Sequence, residues 1–578
     1  MAAIHTPTSK LKGTIGGLSS KELKKLMRKH PAIWAMYSGI KVDGRDFSFD
    51  GHKFLYPLYC DRSLDLRVMK SAQMGATIWM LMRAFHQALY PESWGYKIPI
   101  NVGFYFPDKP GLNMMVKSRV EPMMLTTPEL LPYSKTLSRA WKPLGKSSLF
   151  FFYLKGKSSK DSMPLTSLFF DEVRLVDLHD VEQVYERVSA SPIPYKCHIS
   201  TAGYPEADIH KMFLDSDQKW WHTVCESCGA EHVLSLEFPD CIAEHTIGPR
   251  KGDVYYRCTK CDSEMKNTQN GLYVPHGDPN HENSGYHFSQ LISHAATCHP
   301  KRILNSFRTT DNKKEWYNGK LGIPFVDASN KPVGEPELLS CVNPLLKWGD
   351  FGGSGTFMGI DQRLRENYVF ILKRPPGSNK RQLVWFEIVE DEDPFHRCGQ
   401  LMEEFNVKVC VADSEPNAND AMRFAQSFPK RVFLAKRGDF DDLILWSDSR
   451  KKKDGHKKAE SDSYYRYRVF LDKYKDIERT LDWIKDGQFD FPDPDALTQV
   501  VTPLGGGFPH EMPIFRTHAF KHLSSPVREK HVIDEGKGKY TWVWHFIGGD
   551  PHALDALCFA RAASERKMHG GDSFSYSF

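Results

Sequence analysis

Lys70, Thr77, Asp171 and Glu172 are the residues of this chain whose types and spacing fit phosphate chemistry. The run Val68-Met69-Lys70-Ser71-Ala72-Gln73-Met74-Gly75-Ala76-Thr77 approximates a phosphate loop, G-x-x-x-x-G-K-[ST], whose lysine reaches the outer phosphates and whose hydroxyl holds Mg²⁺. Gly75 and Thr77 keep their places, Ala76 fills the lysine position, and Lys70 stands where the first glycine would be. Either the cation enters from the loop's other end, with Ser71, Gly75, Ala76 and Thr77 along its lining, or the segment is an ordinary strand-to-helix turn. Downstream, Ser167-Leu168-Phe169-Phe170-Asp171-Glu172 reads as a buried strand ending in two acids. Such a pair divides the work of hydrolysis: Asp171 would hold the Mg²⁺ shell, and Glu172 would orient and deprotonate water. The plain alternative is a strand that ends in solvated acids. A third strand, Cys197 to Gly203, ends in small polar residues suited to sensing a γ phosphate.

The second half carries three more acids of the same kind. Thr356-Phe357-Met358-Gly359-Ile360-Asp361 and Val407-Lys408-Val409-Cys410-Val411-Ala412-Asp413 are apolar strands that terminate in aspartate. In Asp550-Pro551-His552-Ala553-Leu554-Asp555, Asp550 suits a helix N-cap and Pro551 the first helical position, which places His552 and Asp555 on one face. Two strand-end carboxylates and one helix carboxylate can hold two divalent metals about 4 Å apart for phosphodiester cleavage, the arrangement of a ribonuclease H-like nuclease. Turns favour Asp after a strand, so each acid alone also has a structural reading. Glu387, within the strand Leu383 to Val389, is a possible fourth ligand or a solvent-facing residue.

Four of the twelve cysteines form two pairs, Cys225-Glu226-Ser227-Cys228 and Cys258-Thr259-Lys260-Cys261. Four thiolates so spaced make a closed tetrahedral Zn²⁺ site with no catalytic position. The 29-residue spacer is long for a ribbon and predicts a small β insertion. Such a ribbon can also grip DNA or a partner, and the sequence does not separate these roles.

The elements that must position these groups alternate between strands and helical runs in both halves, which predicts an α/β chain. At 578 residues it has room for two to four domains. A net charge of +5 is mild for this length and argues against a generally basic nucleic-acid coat. No run of 18 apolar residues and no leader pattern occurs, so a soluble, cytoplasmic protein is expected. Arg450 to Lys458 carries six lysines and arginines in nine residues, either a phosphate-neutralising loop or a solvated one. Residues 570 to 578 read as a tail.

Together, the displaced-lysine loop, the Asp-Glu strand, the Ser-Thr-Ala-Gly strand, the cysteine pairs and the three-acid half resemble the large terminase subunit of tailed bacteriophages, most nearly its lambda-like branch. Ile209 to Cys225 and Gly285 to Pro324 carry the same resemblance, which covers most of residues 30 to 565. It implies an ATP-driven motor that moves double-stranded DNA through a portal protein into a procapsid and a metal-dependent nuclease that cuts concatemers. It implies ATP, Mg²⁺ or Mn²⁺, and Zn²⁺ as cofactors, a homo-oligomeric ring, a small terminase subunit as partner, and residence in the bacterial host cytoplasm. By matching motif, Lys70 and Thr77 serve the nucleotide, Asp171 and Glu172 act as above, and Asp361, Asp413 and Asp555 ligate nuclease metals. Phe54 and Tyr56 occupy the place where relatives grip adenine. Gln73 stands where relatives often carry arginine, so the finger would come from a neighbouring subunit, with Arg119 and Arg187 as candidates. The implied layout is an N-terminal helical segment over 1–47, a P-loop ATPase core with a mainly parallel sheet over 48–215, a zinc-ribbon insertion over 216–275, a lid or linker over 276–348, a ribonuclease H-like domain over 349–566 and a flexible tail over 567–578. Two rivals are a nucleic-acid helicase or remodelling ATPase, and a non-enzymatic zinc-bearing DNA-binding protein with a degenerate nucleotide site.

Overall fold

The computed structural model describes residues 18–566 apart from 136, 137, 139, 156–162, 294–297, 354, 364, 439, 441, 442, 448–466, 502–509 and 535–538. The basic run at 450–458 and the tail at 570–578 lie outside the described residues. The chain divides into two compact units, residues 1–327 and 328–578.

The first unit opens with helices α1 (Ser20–Lys29) and α2 (Pro31–Tyr37). Ser19 starts α1 with a capping box that satisfies its own backbone and that of Glu22. A ten-stranded sheet follows, with β1 (Asp65–Lys70), helix α3 (Ala76–Leu89), β2 (Asn101–Phe106), β3 (Trp141–Leu144), β4 (Ser147–Tyr153), β5 (Ser167–Asp171), β6 (Tyr195–Ser200), β7 (Lys219–Val224), β8 (Glu231–His232), β9 (Gly271–Pro275) and β10 (Ser284–Phe288). Strand order is β8-β7-β10-β1-β6-β5-β2-β4-β3, with β9 also paired to β7. The run from β7 to β4 is parallel throughout, and only β3, β8 and β9 pair antiparallel. Parallel strands covered on both faces need continuous apolar sequence; β5 is buried at every position. β1 and β5 therefore end at the same edge of the sheet, separated by β6, and this brings their terminal charges together.

In the second unit, β11 (Thr356–Gln362), β12 (Glu366–Lys373) and β13 (Arg381–Glu390) form an antiparallel meander. Helix α4 (Pro394–Glu404), β14 (Val407–Asp413), helix α5 (Ala418–Ser427), β15 (Val432–Gly438), β16 (Ile444–Trp446), β17 (Arg468–Asp472), helix α6 (Lys473–Lys485), β18 (Phe489–Asp490) and helix α7 (His552–Glu565) complete the set that matters here. Sheet order is β16-β17-β15-β14-β11-β12-β13-β18, with β14 parallel to β11 and β15 parallel to β14. Three antiparallel strands extended by parallel strands on the side of the first is the ribonuclease H-like arrangement. Helix α7 is buried from Ala553 to Ser564 and lies on β11, where Gly359 leaves room for its backbone. Its start differs from expectation: Pro551 is the N-cap, and Asp550 precedes it. No helix among the described residues is long and apolar enough to cross a membrane.

Candidate nucleotide site, carboxylate centre and cysteine cluster

At the end of β1, Lys70 is buried and its Nζ lies 3.2 Å from Glu172 Oε1. At the other end of the loop, Thr77 Oγ1 donates to Asp171 Oδ2 at 3.0 Å. The two loop residues singled out by chemistry thus meet the two acids, one to one. Glu172 adopts a left-handed conformation, φ 54°, so the chain turns sharply where β5 ends and presents the two carboxylates in different directions. Burial pushes the Asp171 carboxyl up to about 6, with the charge of Glu172 adding to it and Lys70 opposing. Asp171 Oδ1 is buried and makes no hydrogen bond. A carboxylate with a spare, dry oxygen beside a threonine hydroxyl is an all-oxygen donor set that fits Mg²⁺.

The loop is held from behind. Ser71 N donates to Phe288 O at 3.0 Å and Ala72 N to Gly319 O at 2.8 Å, while Gln290 Nε2 donates to Ala72 O at 2.9 Å. These two amides are therefore spent, and Ser71, fully buried, backs the loop rather than lining it. Phosphate donors must come from the turn at Gly75 and the first turn of α3, whose leading N–H groups have no intrahelical acceptor. Gly322, at φ +70°, sits against the loop so closely that an added Cβ would lie 2.5 Å from Ser71 N and 2.6 Å from Lys70 C. Gly322→Ala is expected to displace Lys70 and reduce nucleotide binding at least tenfold, measured by titration with a fluorescent ATP analogue.

Two expectations about this site, for Phe54 and Arg187, need correction, while those for Tyr56 and Arg119 stay open. Phe54 is fully buried, packed 5.0 Å from the Phe288 ring, so it is a core residue and cannot stack on a base. Tyr56 is half-buried and its ring meets Phe49 edge-on. Arg187 is buried, donates to Met163 O and Tyr105 Oη, and lies over the Phe152 ring, so it is not presented to a neighbour. Arg119 remains exposed and is paired with Asp43.

Beyond β6, Thr201 is buried and its hydroxyl is unbonded, while Ser200 Oγ accepts from Arg174 N at 3.1 Å. The Ser-Thr end of this strand thus contacts the turn that carries Glu172.

The second unit brings its three aspartates to one edge. Ile360 pairs with Ala412 across β11 and β14, so Asp361 and Asp413 occupy matching positions on neighbouring strands. Burial pushes Asp361 up to about 7, and the charges of Asp555 and Asp413 add to this. Asp413 is raised too, again chiefly by burial. His552 Nδ1 lies 2.7 Å from Asp361 Oδ2. Carboxylates that raise one another's proton affinity favour a cation among them, which fits a hard divalent metal. As a group they are not drawn to within 4.8 Å of one another. Asp555 is instead bound by Arg437, a half-buried cation on β15 that also faces Asp476. Neither Arg437 nor Asp476 is visible as a site residue in the sequence, because the register of β15 beside β14 brings in the first and the packing of α6 against α7, where Asp476 meets Arg561, brings in the second. Glu387 is engaged by Arg397 at 2.9 Å and by Trp385 Nε1 at 2.8 Å, so it is a structural ion-pair residue and not a fourth ligand.

Cys225, Cys228, Cys258 and Cys261 place all four Sγ atoms within 4.8 Å of one another. The separations Cys225–Cys261 and Cys228–Cys258 are 3.8 and 3.7 Å. Thiolates about 2.3 Å from a tetrahedral Zn²⁺ stand about 3.8 Å apart, so the cluster has the size the ion requires. Each pair ends in a positive-φ residue, Gly229 at 74° and Asp262 at 61°, whose amide returns to the first cysteine's carbonyl. Hydrogen bonds from Ser263, side chain then backbone, hold the Cys261 thiol down at about 6. His232 Nε2 lies 3.1 Å from Cys258 Sγ, and its Nδ1 lies 2.9 Å from Glu237 Oε2. The long spacer contains the expected hairpin, Ile242–Glu244 against Val254–Tyr256.

Residues 61–278 match the sequence model of the family described as phage terminase large subunit gpA, ATPase domain. This segment is a terminase ATPase domain. No curated protein matches the chain. Among solved structures, the HK97 bacteriophage large terminase is similar over 92% of this chain and 98% of its own, at 11% identity and a TM-score of 0.50, which extends the fold likeness across both units. A large terminase from a thermophilic bacteriophage matches at 12% identity and a TM-score of 0.30 over 86% of this chain and 94% of its own. The large terminase nuclease of thermophilic phage G20c matches at 10% identity and 0.23 over 39% of this chain and 95% of its own. In the terminase ATPase domain, the displaced lysine is the terminal residue of a strand, and the cysteine cluster lies inside the matched segment.

Proposed function

We propose that this chain is the motor and nuclease subunit of a viral DNA-packaging machine, hydrolysing ATP in its first unit and cutting double-stranded DNA in its second. The observation that carries the reading is the double pairing of Lys70 with Glu172 and Thr77 with Asp171. A triphosphate offers Lys70 a stronger anionic partner than one carboxylate, so substrate binding frees Glu172 to orient water and take its proton. Asp171 and the Thr77 hydroxyl would hold Mg²⁺, which supplies charge neutralisation at the phosphates. Asp361, Asp413 and Asp555 would hold the divalent ions of the nuclease, and release of Asp555 from Arg437 accompanies that binding. The four cysteines would hold a structural Zn²⁺. The partners proposed are DNA, a portal, a small terminase subunit and further copies of this chain in a ring, within the bacterial host. An exposed arginine of a neighbouring copy completes the charge stabilisation that Gln73 cannot supply.

A helicase or remodelling ATPase would use the first unit equally well but leaves the clustered acids of the second without work. The two are separated by assaying ATP hydrolysis and Mn²⁺- or Mg²⁺-dependent plasmid nicking side by side. Lys70→Ala and Glu172→Gln are expected to lower hydrolysis at least about a hundredfold and to spare nicking, and Asp361→Ala to do the reverse. Full hydrolysis by Lys70→Ala would overturn the nucleotide assignment, and full nicking by Asp361→Ala the nuclease assignment.

A further inference from the structure

The backing of the phosphate loop is unusually rich in buried polar atoms that have nothing to bond. Asn318 is fully buried, and neither its Oδ1 nor its Nδ2 has a partner. Gln290 Oε1 and Ser71 Oγ are in the same condition. An unsatisfied buried polar group is destabilising, so three such residues, one in the loop and two in the segments that back it, are costly unless another state of the loop satisfies them.

Geometry ties Gln290 to the loop directly, through Ala72, and Asn318 through its chain neighbour Gly319. Asn318 belongs to a wide π-turn, Tyr317–Leu321, that continues the short helix Lys313–Trp316. Its neighbour Gly319 accepts from Ala72 N, and Gly322 N closes the turn on Tyr317 O at 3.0 Å. Leu321 O lies 2.9 Å from His287 Nε2, which fixes the turn to β10. Gln290 reaches the loop by donating to Ala72 O. Insertions of this π type distort a helix at a cost and concentrate at functional sites. Ahead of the turn, Trp316 packs 4.9 Å from Phe238 and from Phe307, and Glu315 faces Arg174, two residues past Glu172, at 3.4 Å. The turn therefore touches the loop, and the short helix that leads into it meets the segment after Glu172.

We propose that the Tyr317–Gly322 turn reads the state of the phosphate loop, and that Asn318, with Gln290, is a positioning residue whose amide bonds the loop in its nucleotide-bound position. In that position the Ser71–Ala72 peptides shift toward the substrate, the side-chain amides pair with the loop, and the turn carries the change to the Arg174–Glu315 pair. The inference rests on the ATPase reading above.

The test uses the full chain and the variants Asn318→Leu and Gln290→Met, which keep side-chain volume and remove the hydrogen-bonding groups. Without an orphaned dipole, Asn318→Leu is expected to melt at or above the parent temperature. Its kcat for ATP is expected to fall at least tenfold while ADP affinity stays within twofold. Hydrogen exchange of the 317–322 peptide should slow when the parent binds a non-hydrolysable ATP analogue and should not respond in Asn318→Leu. Gln290→Met should show the same split and stands in if Asn318→Leu does not fold. Parent-like kcat and exchange in both variants overturn the inference. So does a lowered melting temperature with unchanged kcat, the result for a residue that only holds buried water. A parent chain that neither binds nor hydrolyses ATP overturns the functional reading and this inference together.

Discussion

Gly359→Ala is expected to abolish plasmid nicking and to destabilise the second unit by at least about 3 kcal/mol, the upper end of the cost of overpacking a core. An added Cβ would stand 2.1 Å from Ala556 O, 2.2 Å from Ala560 N and 2.9 Å from Ala560 Cα. All three are backbone atoms of α7, so no side-chain rotation relieves the contact. Helix and strand must separate, and they are the two elements that carry Asp555 and Asp361. Misplacing a catalytic group by about 1 Å can cost about a hundredfold in rate, so cutting is lost even in molecules that still fold. Calorimetry and nicking are measured together, with ATP hydrolysis expected to persist. Gly399→Ala is the control, because its added Cβ meets only the Phe428 ring at 3.7 Å within a helix. A Gly359→Ala protein with parent melting and parent nicking would remove the argument that α7 sets the carboxylate geometry.

Removing zinc is expected to have an equally large effect. Structural Zn²⁺ contributes about 10–16 kcal/mol to the folding of isolated finger peptides, and here the ion would add to the packing of Ile242, Val254 and Tyr256, which join the hairpin to the core of the first unit. Cys258→Ser, or strong chelation, should expose 225–261 to proteolysis. The damage should not stop there. Phe238 packs 5.0 Å from Phe307 and 4.9 Å from Trp316, and Trp316 leads into the turn that holds Ala72. Hydrolysis of ATP should therefore fall several-fold along with the loss of metal, although no cysteine touches the nucleotide site. One zinc per chain by elemental analysis is the expected content. A value near zero, with the insertion still protease-resistant, would reduce the cluster to four reduced thiols.

What the sequence made legible follows from how local each signal is. Apolar strands ending in acids announce themselves through composition alone, and β5, β11 and β14 lie within a residue or two of their expected bounds. The cysteine pairs are equally local, since their spacing already encodes the knuckle turn. Phe54 and Arg187 misled for a shared reason: an aromatic or a guanidinium near a site can face the core or the ligand, and sequence does not say which. Arg437 and Asn318 were invisible because their importance comes from neighbours far away in the chain. Gly322 and Gly359 read as ordinary glycines until the backbone each one admits, at Ser71 and at Ala556, is known.

The displaced lysine has one more consequence. A lysine in the first turn of a helix rides with the loop that delivers it, so any breathing of that loop carries the charge along. Here the ammonium is rooted in the last residue of β1, and the acid it meets follows β5 on the same sheet. Cation and base thus share one rigid chassis, while the loop between Ser71 and Thr77 is left as the moving part. A motor that must change shape on every cycle can then let its substrate cradle open and close while the strand ends that root the two charged side chains stay in register through β6.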